Sequence, residues 1–453
     1  MSEAEEASRP AMPDPSRLPR PWVSTYPPGV PPTYDIPAVV VPRFLDDAAR
    51  DFPDVPAIIE GGDDLTYVEM RDRSDRLASS LAELGLGPGR RLALALPNTR
   101  AAPLALFAAL RAGAAVALAD PAIGPEAVAD LVERTKSEIV LVEPGSSVRG
   151  HLSPSSRVVV DDLSDSRGLR GRIAFGRAGR DDATSLRELI EAASGPARTA
   201  SVSPSEAAVV LLDESGEPVV LSHANLVANA FQARLWIPDV RAGRERVLFL
   251  SSIASGHGLT VGLLASVLAA ATIVLDARGT RGRIPRSARR THPTVLHPSA
   301  RDPDAVLTRW RARSRSLASV RAGLADGVLG PTVSDRLTAA SRGGRIRGTA
   351  CFTAAVSLTH ANPVYGRAQQ DVAGVPVTST TAAIVDPGDP TRVLPVGEAG
   401  MVAVHGPQVA DPDLQISAAV RDRLRDGWLV TGRFGSVDDE GVLTLADDRE
   451  ELR

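Results

Sequence analysis

Residues 91–142 read RLALALPNTRAAPLALFAALRAGAAVALADPAIGPEAVADLVERTKSEIVLV, and this stretch decides the fold. Three short apolar runs, 91–96, 114–119 and 138–142, are separated by two longer stretches, 99–112 and 125–136, whose length and Ala/Leu content suit helices. Strands of this kind show no polar alternation, as expected where both faces are covered, and the βαβαβ order predicts a parallel sheet sandwiched between helices.

The same texture continues outward in both directions. Upstream, Thr66 with Glu69 forms a capping box, and Leu77, Leu81 and Leu84 supply the inward stripe of a helix that ends near Gly85. Downstream, a Ser-, Arg-, Asp- and Gly-rich connection over about 145–205 holds one strand-like run, Val158-Val159-Val160. A second alternating series then begins, with strands expected at 207–212, 246–250, 272–276 and 294–296 and helices near 223–236 and 258–269. From about residue 370 the pattern becomes short strands split by Gly, Pro and Asp turns, the signature of a small β-barrel. The expected organisation is therefore a Pro-rich flexible arm (1–36), a first α/β subdomain (37–205), a second (206–370) and a barrel subdomain (371–453).

Composition narrows the function. A chain of 453 residues with 43% hydrophobic and 23% charged residues and a net charge of −4 is ordinary globular protein, with no basic excess for a nucleic-acid partner. The amino terminus carries no secretory pattern, and a cytoplasmic location is expected. The uncharged run Gly258 to Leu275 reaches the lower limit for a membrane helix, but its Gly, Ala and Ser content reads as a helix followed by the strand Ile273-Val274-Leu275, so no transmembrane span is expected. Cys351 is the only cysteine and reads as a small buried hydrophobe rather than a nucleophile. Of 51 basic residues only Lys136 is lysine. An arginine-dense segment that includes Arg278, Arg281, Arg283, Arg286, Arg289 and Arg290 reads as solvated surface.

The phrases RPWVSTYPPGVPPTYDIP (20–37), FPDVPAIIEGGDDLTYVEM (52–70), LGPGRRLALALPN (86–98), WIPDV (236–240), THANPVYGR (359–367), AIVDPGDPTRVLPVGEAG (383–400) and DGWLVTG (426–432) follow one another in a recognisable order. In that order they resemble the adenylate-forming superfamily, specifically the long-chain fatty acyl-CoA synthetases. The resemblance implies two α/β subdomains with a small barrel. It also implies ancestral chemistry in which ATP and a fatty acid give an acyl-adenylate that coenzyme A captures.

Four elements of that chemistry are altered at the positions the resemblance assigns. The phosphate loop is shortened to Asp213-Glu214-Ser215-Gly216-Glu217-Pro218, has no lysine, and retains only Ser215 and Gly216 as remnants; its plain alternative is a tight turn between strands. The segment whose Thr meets phosphate and whose Glu holds magnesium becomes Ala350-Cys351-Phe352-Thr353-Ala354, keeping Thr353 but placing Ala354 at the metal position, where no oxygen ligand is offered. The ribose-binding carboxylate becomes Arg433, which accepts no hydrogen bond and reads as an exposed arginine after a turn. At the hinge Asp447 is kept, but the basic position is Asp448, and the mobile carboxy-terminal domain with its second lysine is expected to be absent. On the acyl side, Ser255 stands where the family has histidine, with His257 and Gly258 close behind; these three are the candidate acyl pocket.

The expected function is a catalytically impaired homologue that binds an acyl chain or pairs with an active enzyme. Two rivals stand beside it: an active ligase completed by a carboxy-terminal domain in trans, and a regulatory partner of an intact paralogue. No catalytic residue or metal ligand is assigned, and ATP and magnesium are expected only if the ancestral activity survives.

Overall fold

The computed structural model describes residues 11–61, 63–163, 184–193, 195, 200–275, 290–299 and 317–446. Two seven-stranded sheets dominate. The first runs Thr184–Ser185, Arg157–Val160, Ile139–Val142, Arg91–Ala95, Ala115–Leu118, Ala207–Leu212, Pro218–Ser222, and every pairing is parallel except the last. The second runs Arg345–Arg347, Ala322–Leu324, Val295–His297, Arg246–Phe249, Thr272–Leu275, Pro56–Glu60, Asp63–Thr66, again parallel except at the final hairpin.

The predicted strands at 91–96, 114–119 and 138–142 form as expected, and Ala115–Leu118 and Ile139–Val142 are buried at every residue. All eleven residues of the helix Ala101–Arg111 are buried, which accounts for its all-round apolar composition. The guanidinium of Arg111 is matched inside by ion pairs with Asp46 and Asp75. The capping box of Thr66 and Glu69 opens the helix Tyr67–Glu83. A second box, Ser222 with Asn225, opens His223–Trp236, and Asn225 Nδ2 also donates to the carbonyls of Pro407 and Val409, tying this helix to the carboxy-terminal region.

Each sheet borrows strands from the other half of the sequence. Pro56–Glu60 and its hairpin partner, early in the chain, join the second sheet through parallel pairing of Ile58 with Ile273. Ala207–Leu212 and its hairpin partner join the first sheet through Val116 and Val209. Hydrophobic side chains from both layers consequently share one large core. The connection expected to be irregular holds the helix Leu186–Ala192, capped by Ser185.

The uncharged run Gly258 to Leu275 is divided into a π-helix Gly258–Leu264, a short α-helix Ala265–Leu268 and the strand Thr272–Leu275. Among the described residues no helix is long and apolar enough to cross a membrane. Beyond residue 348 the strands are antiparallel: a three-stranded sheet, Thr349–Cys351, Leu358–Ala361, Val375–Pro376, and a five-stranded one built on Thr381–Val385, Gly400–His405 and Trp428–Val437. The small β-subdomain expected here is this antiparallel sheet: Thr381–Val385 pairs with Gly400–His405, Leu443–Leu445 pairs with Trp428–Val437, and a bridge from Leu443 to Gly374 ties it to the three-stranded sheet; no closed barrel is detected among the described residues.

Residues 11–36 lie along this carboxy-terminal region. Trp22 is buried, Tyr26 donates to the Pro376 carbonyl at 2.6 Å and stacks edge-on against Trp236, and Pro13 accepts from Trp428 Nε1 at 3.1 Å.

Candidate active site

A parallel sheet presents the carboxyl ends of its strands, with their exposed loops, at one edge, and ligands bind there. In this protein the two sheets turn those ends toward a common cleft of about 1100 Å³. Leu118 ends one strand of the first sheet, Ala119 and Asp120 follow it, and Asp213 follows another; Leu250, Ser251, Ser299 and Asp326 follow strands of the second, and Arg423, Thr431 and Arg433 come from the carboxy-terminal region. Asn98 joins the two layers at the cleft wall, donating to the Ser251 carbonyl at 2.8 Å and accepting from Ile253 N–H at 2.9 Å.

Of the residues singled out from the sequence, Ser215, Gly216, Thr353, Ala354, Arg433, Ser255 and His257 all line this cleft. Gly258 lies behind the wall at the start of the π-helix, where a Cβ would come within 2.0 Å of the Ser252 carbonyl oxygen. Asp447 and Asp448 lie outside the described residues, as does the arginine-dense segment apart from the exposed Arg290. Lys136 ends the helix Pro125–Thr135 in a left-handed conformation beside Glu133 and Glu138, at a different surface pocket.

The segment that the resemblance aligns with a phosphate loop is a closed hairpin turn between Ala207–Leu212 and Pro218–Ser222. Its backbone donors point inward. Asp213 Oδ1 accepts from Ser215 N–H and Glu217 N–H, each at 2.9 Å, and from the Ser215 hydroxyl at 2.6 Å; Gly216 N–H donates to the Asp213 carbonyl at 3.0 Å. Arg423 donates to the other carboxylate oxygen of Asp213. Glu217 is held in turn by Arg134 and by the Ser417 hydroxyl, both at 2.7 Å. Phosphate loops work because such N–H groups converge on an external anion. Here the anion is the loop's own Asp213. Burial raises its pKa, but the hydrogen bonds from Ser215 and Glu217 and the Arg423 guanidinium together outweigh that and hold the carboxyl below its usual 3.8.

The neighbouring elements are consistent with that closure. The Thr353 hydroxyl donates to Glu214 at 3.4 Å. Ala354 is buried, and its carbonyl accepts from Ala410 N–H. Arg433, expected on the surface, is half-buried in the strand Trp428–Val437, where its N–H donates to the Thr431 hydroxyl at 3.1 Å. It lies at a bulge of this strand, between Val430 and Phe434, where the pairing register with Gly400–His405 shifts, and it lines the cleft.

Two features here were not readable from sequence. Val356 adopts φ 58, ψ −62, a γ-turn conformation rare for a β-branched residue, and Ser357 N–H closes that turn on the Ala355 carbonyl at 2.6 Å. Its carbonyl meets the wall opposite at Gly256, where a Cβ would approach within 1.9 Å. His257, for which no partner could be named from sequence, places Nδ1 3.6 Å from Cys351 Sγ. Burial lowers the pKa of His257 and pushes the Cys351 thiol up to about 12, so both are neutral at physiological pH. The protonated thiol is a weak nucleophile, and it lines the cleft with His257 and Asp326.

Paired α/β layers with their carboxyl ends around one cleft, a hairpin where phosphate would be gripped and an appended antiparallel sheet together define an adenylate-forming scaffold. The chain belongs to the AMP-binding enzyme family, whose pattern it matches over residues 45–411. It is similar to a long-chain-fatty-acid–CoA ligase of Bacillus subtilis, 24% identical over 96% of this chain and 81% of the relative. A feruloyl-CoA synthase of an Amycolatopsis species is 28% identical over 89% of this chain and 77% of its own. Among solved structures, a long-chain-fatty-acid-CoA ligase from Archaeoglobus fulgidus superposes with a TM-score of 0.76 at 17% identity, covering 93% of this chain and 86% of that one. A benzoate CoA ligase from Burkholderia xenovorans gives 0.75 at 21% identity, covering 91% and 80%. These structural likenesses speak to the fold.

Proposed function

We propose that this acyl-CoA ligase homologue has lost nucleotide chemistry and uses its cleft to bind an acyl chain. The observation that carries the reading is the Asp213 carboxylate, which takes up the loop N–H groups that would otherwise grip ATP phosphates. An incoming triphosphate would have to displace it and would meet Glu214 and Glu217 as well, like charges that repel by several kcal/mol in a partly dry site. The metal position offers a methyl group at Ala354 and the ribose position a cation at Arg433. Preorganised charge stabilisation supplies most of the acceleration in such reactions, and removing one element of it typically costs about 10²–10³-fold. The cleft volume suits a ligand of drug or lipid size.

One contact favours a second reading, an active ligase. Glu214, bonded by Thr353, brings a carboxylate beside Ala354 and could replace the missing metal ligand. Incubation with ATP, Mg²⁺, a panel of fatty acids and coenzyme A separates the two. The primary reading expects acyl-adenylate and acyl-CoA at the level of a no-protein control. Product well above that control, abolished by Glu214→Gln, would establish the second reading instead.

A further inference from the structure

His257, Asp326 and Cys351 come from three separate segments and converge on the floor of the cleft, with one ligand-type atom from each within 4.8 Å of the others. Their arrangement has the internal logic of a metal site. Leu324 O can only accept, so its 3.2 Å contact with His257 Nε2 puts the proton of the neutral imidazole on Nε2 and leaves the Nδ1 lone pair facing Cys351 Sγ. A backbone carbonyl orienting the far nitrogen of a ligating histidine is the usual outer-shell support of such sites. Asp326 is oriented likewise, accepting from the Ser251 hydroxyl at 3.2 Å.

The spacing decides which kind of ion. A tetrahedral centre with Zn–S of about 2.3 Å and Zn–N of about 2.0–2.1 Å sets sulfur and nitrogen about 3.6 Å apart. The observed Nδ1 to Sγ separation is 3.6 Å. The same calculation puts a carboxylate oxygen about 3.5 Å from sulfur, within reach of a small side-chain rotation of Asp326. The proton count points the same way. The Thr349 hydroxyl hydrogen goes to the Ala325 carbonyl at 2.6 Å, so its oxygen at 3.3 Å and His257 Nδ1 both face Cys351 as acceptors, and the thiol has one hydrogen for the two. An ion replacing that hydrogen would meet Nδ1, thiolate and carboxylate at once.

We propose that His257 Nδ1, Cys351 Sγ and one Asp326 carboxylate oxygen form a three-ligand site for a divalent transition metal of the Zn²⁺ class, its fourth position open to the cleft. A thiolate and imidazole donor set selects such an ion over hard Mg²⁺. Binding forms the metal–sulfur bond as the thiol proton leaves to solvent, one proton per ion, and the two anionic ligands balance the ion's charge. None of the three residues belongs to the phosphate loop, but all three line the same cleft, with Cys351 in the segment that carries Thr353 and Ala354 and His257 in the candidate acyl pocket.

The test is titration of chelator-treated, untagged protein with Co²⁺. The expected result is a thiolate-to-cobalt charge-transfer band that saturates at one equivalent and is bleached by Zn²⁺. Cys351 is the chain's only cysteine, so the band can arise nowhere else. It should disappear in Cys351→Ser, and apparent affinity should fall about tenfold or more in Ser251→Ala, which removes support without touching a ligand. Should Cys351→Ser fail to fold, protection of the wild-type thiol from alkylation by Zn²⁺ provides the same readout. A folded wild-type protein that gives no thiolate band, or whose thiol reacts equally fast with and without Zn²⁺, would overturn the proposal.

Discussion

Asp213→Ala is expected to destabilise the protein by about 3 kcal/mol, because it removes a nearly buried carboxylate that satisfies two loop N–H groups, a hydroxyl and a guanidinium. The Asp213 side chain is 2% exposed and Arg423 29%, so the carboxylate end of the pair carries most of the effect and the arginine recovers part of its loss through water. Chemical denaturation at pH 7 measures this directly. Asp213→Asn, which can still accept from the loop but not balance Arg423, should lose less.

Acid should narrow the difference between wild type and Asp213→Asn. The folded-state pKa of Asp213 is held below 3.8, so its contribution is fully present above the unfolded value and is lost as pH falls through the folded one. The alanine variant should also acquire a property that wild type lacks. With the internal carboxylate gone, Ser215 N–H, Glu217 N–H and Arg423 face a vacated anion position, and inorganic phosphate should raise its denaturation midpoint but not that of wild type. A variant as stable as wild type, or equal phosphate effects on both, would contradict the loop's self-closure.

The second large effect is expected at the cleft wall. In Gly256→Ala the new Cβ meets the Val356 carbonyl oxygen at 1.9 Å, a backbone atom that cannot rotate away. One wall or the strained turn at Val356 must move, so the cost should exceed the ~1–3 kcal/mol of ordinary overpacking. Binding of a fluorescent fatty acid should fall together with the melting temperature. Gly216→Ala is the control, since it has positive φ but nothing within 4 Å of a Cβ; only the left-handed backbone penalises it, by about 1–2 kcal/mol. Equal losses at the two glycines would show that the wall contact is not what shapes the cleft.

These contrasts mark how far sequence could reach. Continuous apolar runs such as Ile139–Val142 and the capping box at Thr66 act locally, so the strands and helices they predict form where expected. Pairing partners are another matter. Nothing in 56–60 marks it for the strand Thr272–Leu275, and the three-residue strands Ala322–Leu324 and Arg345–Arg347 are too short to show a period. Pro218–Ser222 was implied only by the alternative reading of 213–218 as a turn between strands; a proline opens it, as edge strands allow.

At the site, Ala354 and Arg433 were singled out because framework phrases stand on either side of them, and both line the cleft. The reason for the closed loop was not legible. Asp213 reads as one more acidic residue until the hairpin folds its carboxylate back onto Ser215 and Glu217 and the carboxy-terminal region delivers Arg423. The meeting of His257 at a helix start with Asp326 and Cys351 near two strand ends is likewise made by the fold, and no motif spacing encodes it.

The central claim is that the cleft has exchanged nucleotide binding for acyl binding. Calorimetric titration of the purified protein with Mg²⁺-ATP and, separately, with a fatty acid tests it most directly. Saturable heat with the fatty acid and none with ATP is the predicted result; saturable ATP binding with no fatty-acid binding would contradict it.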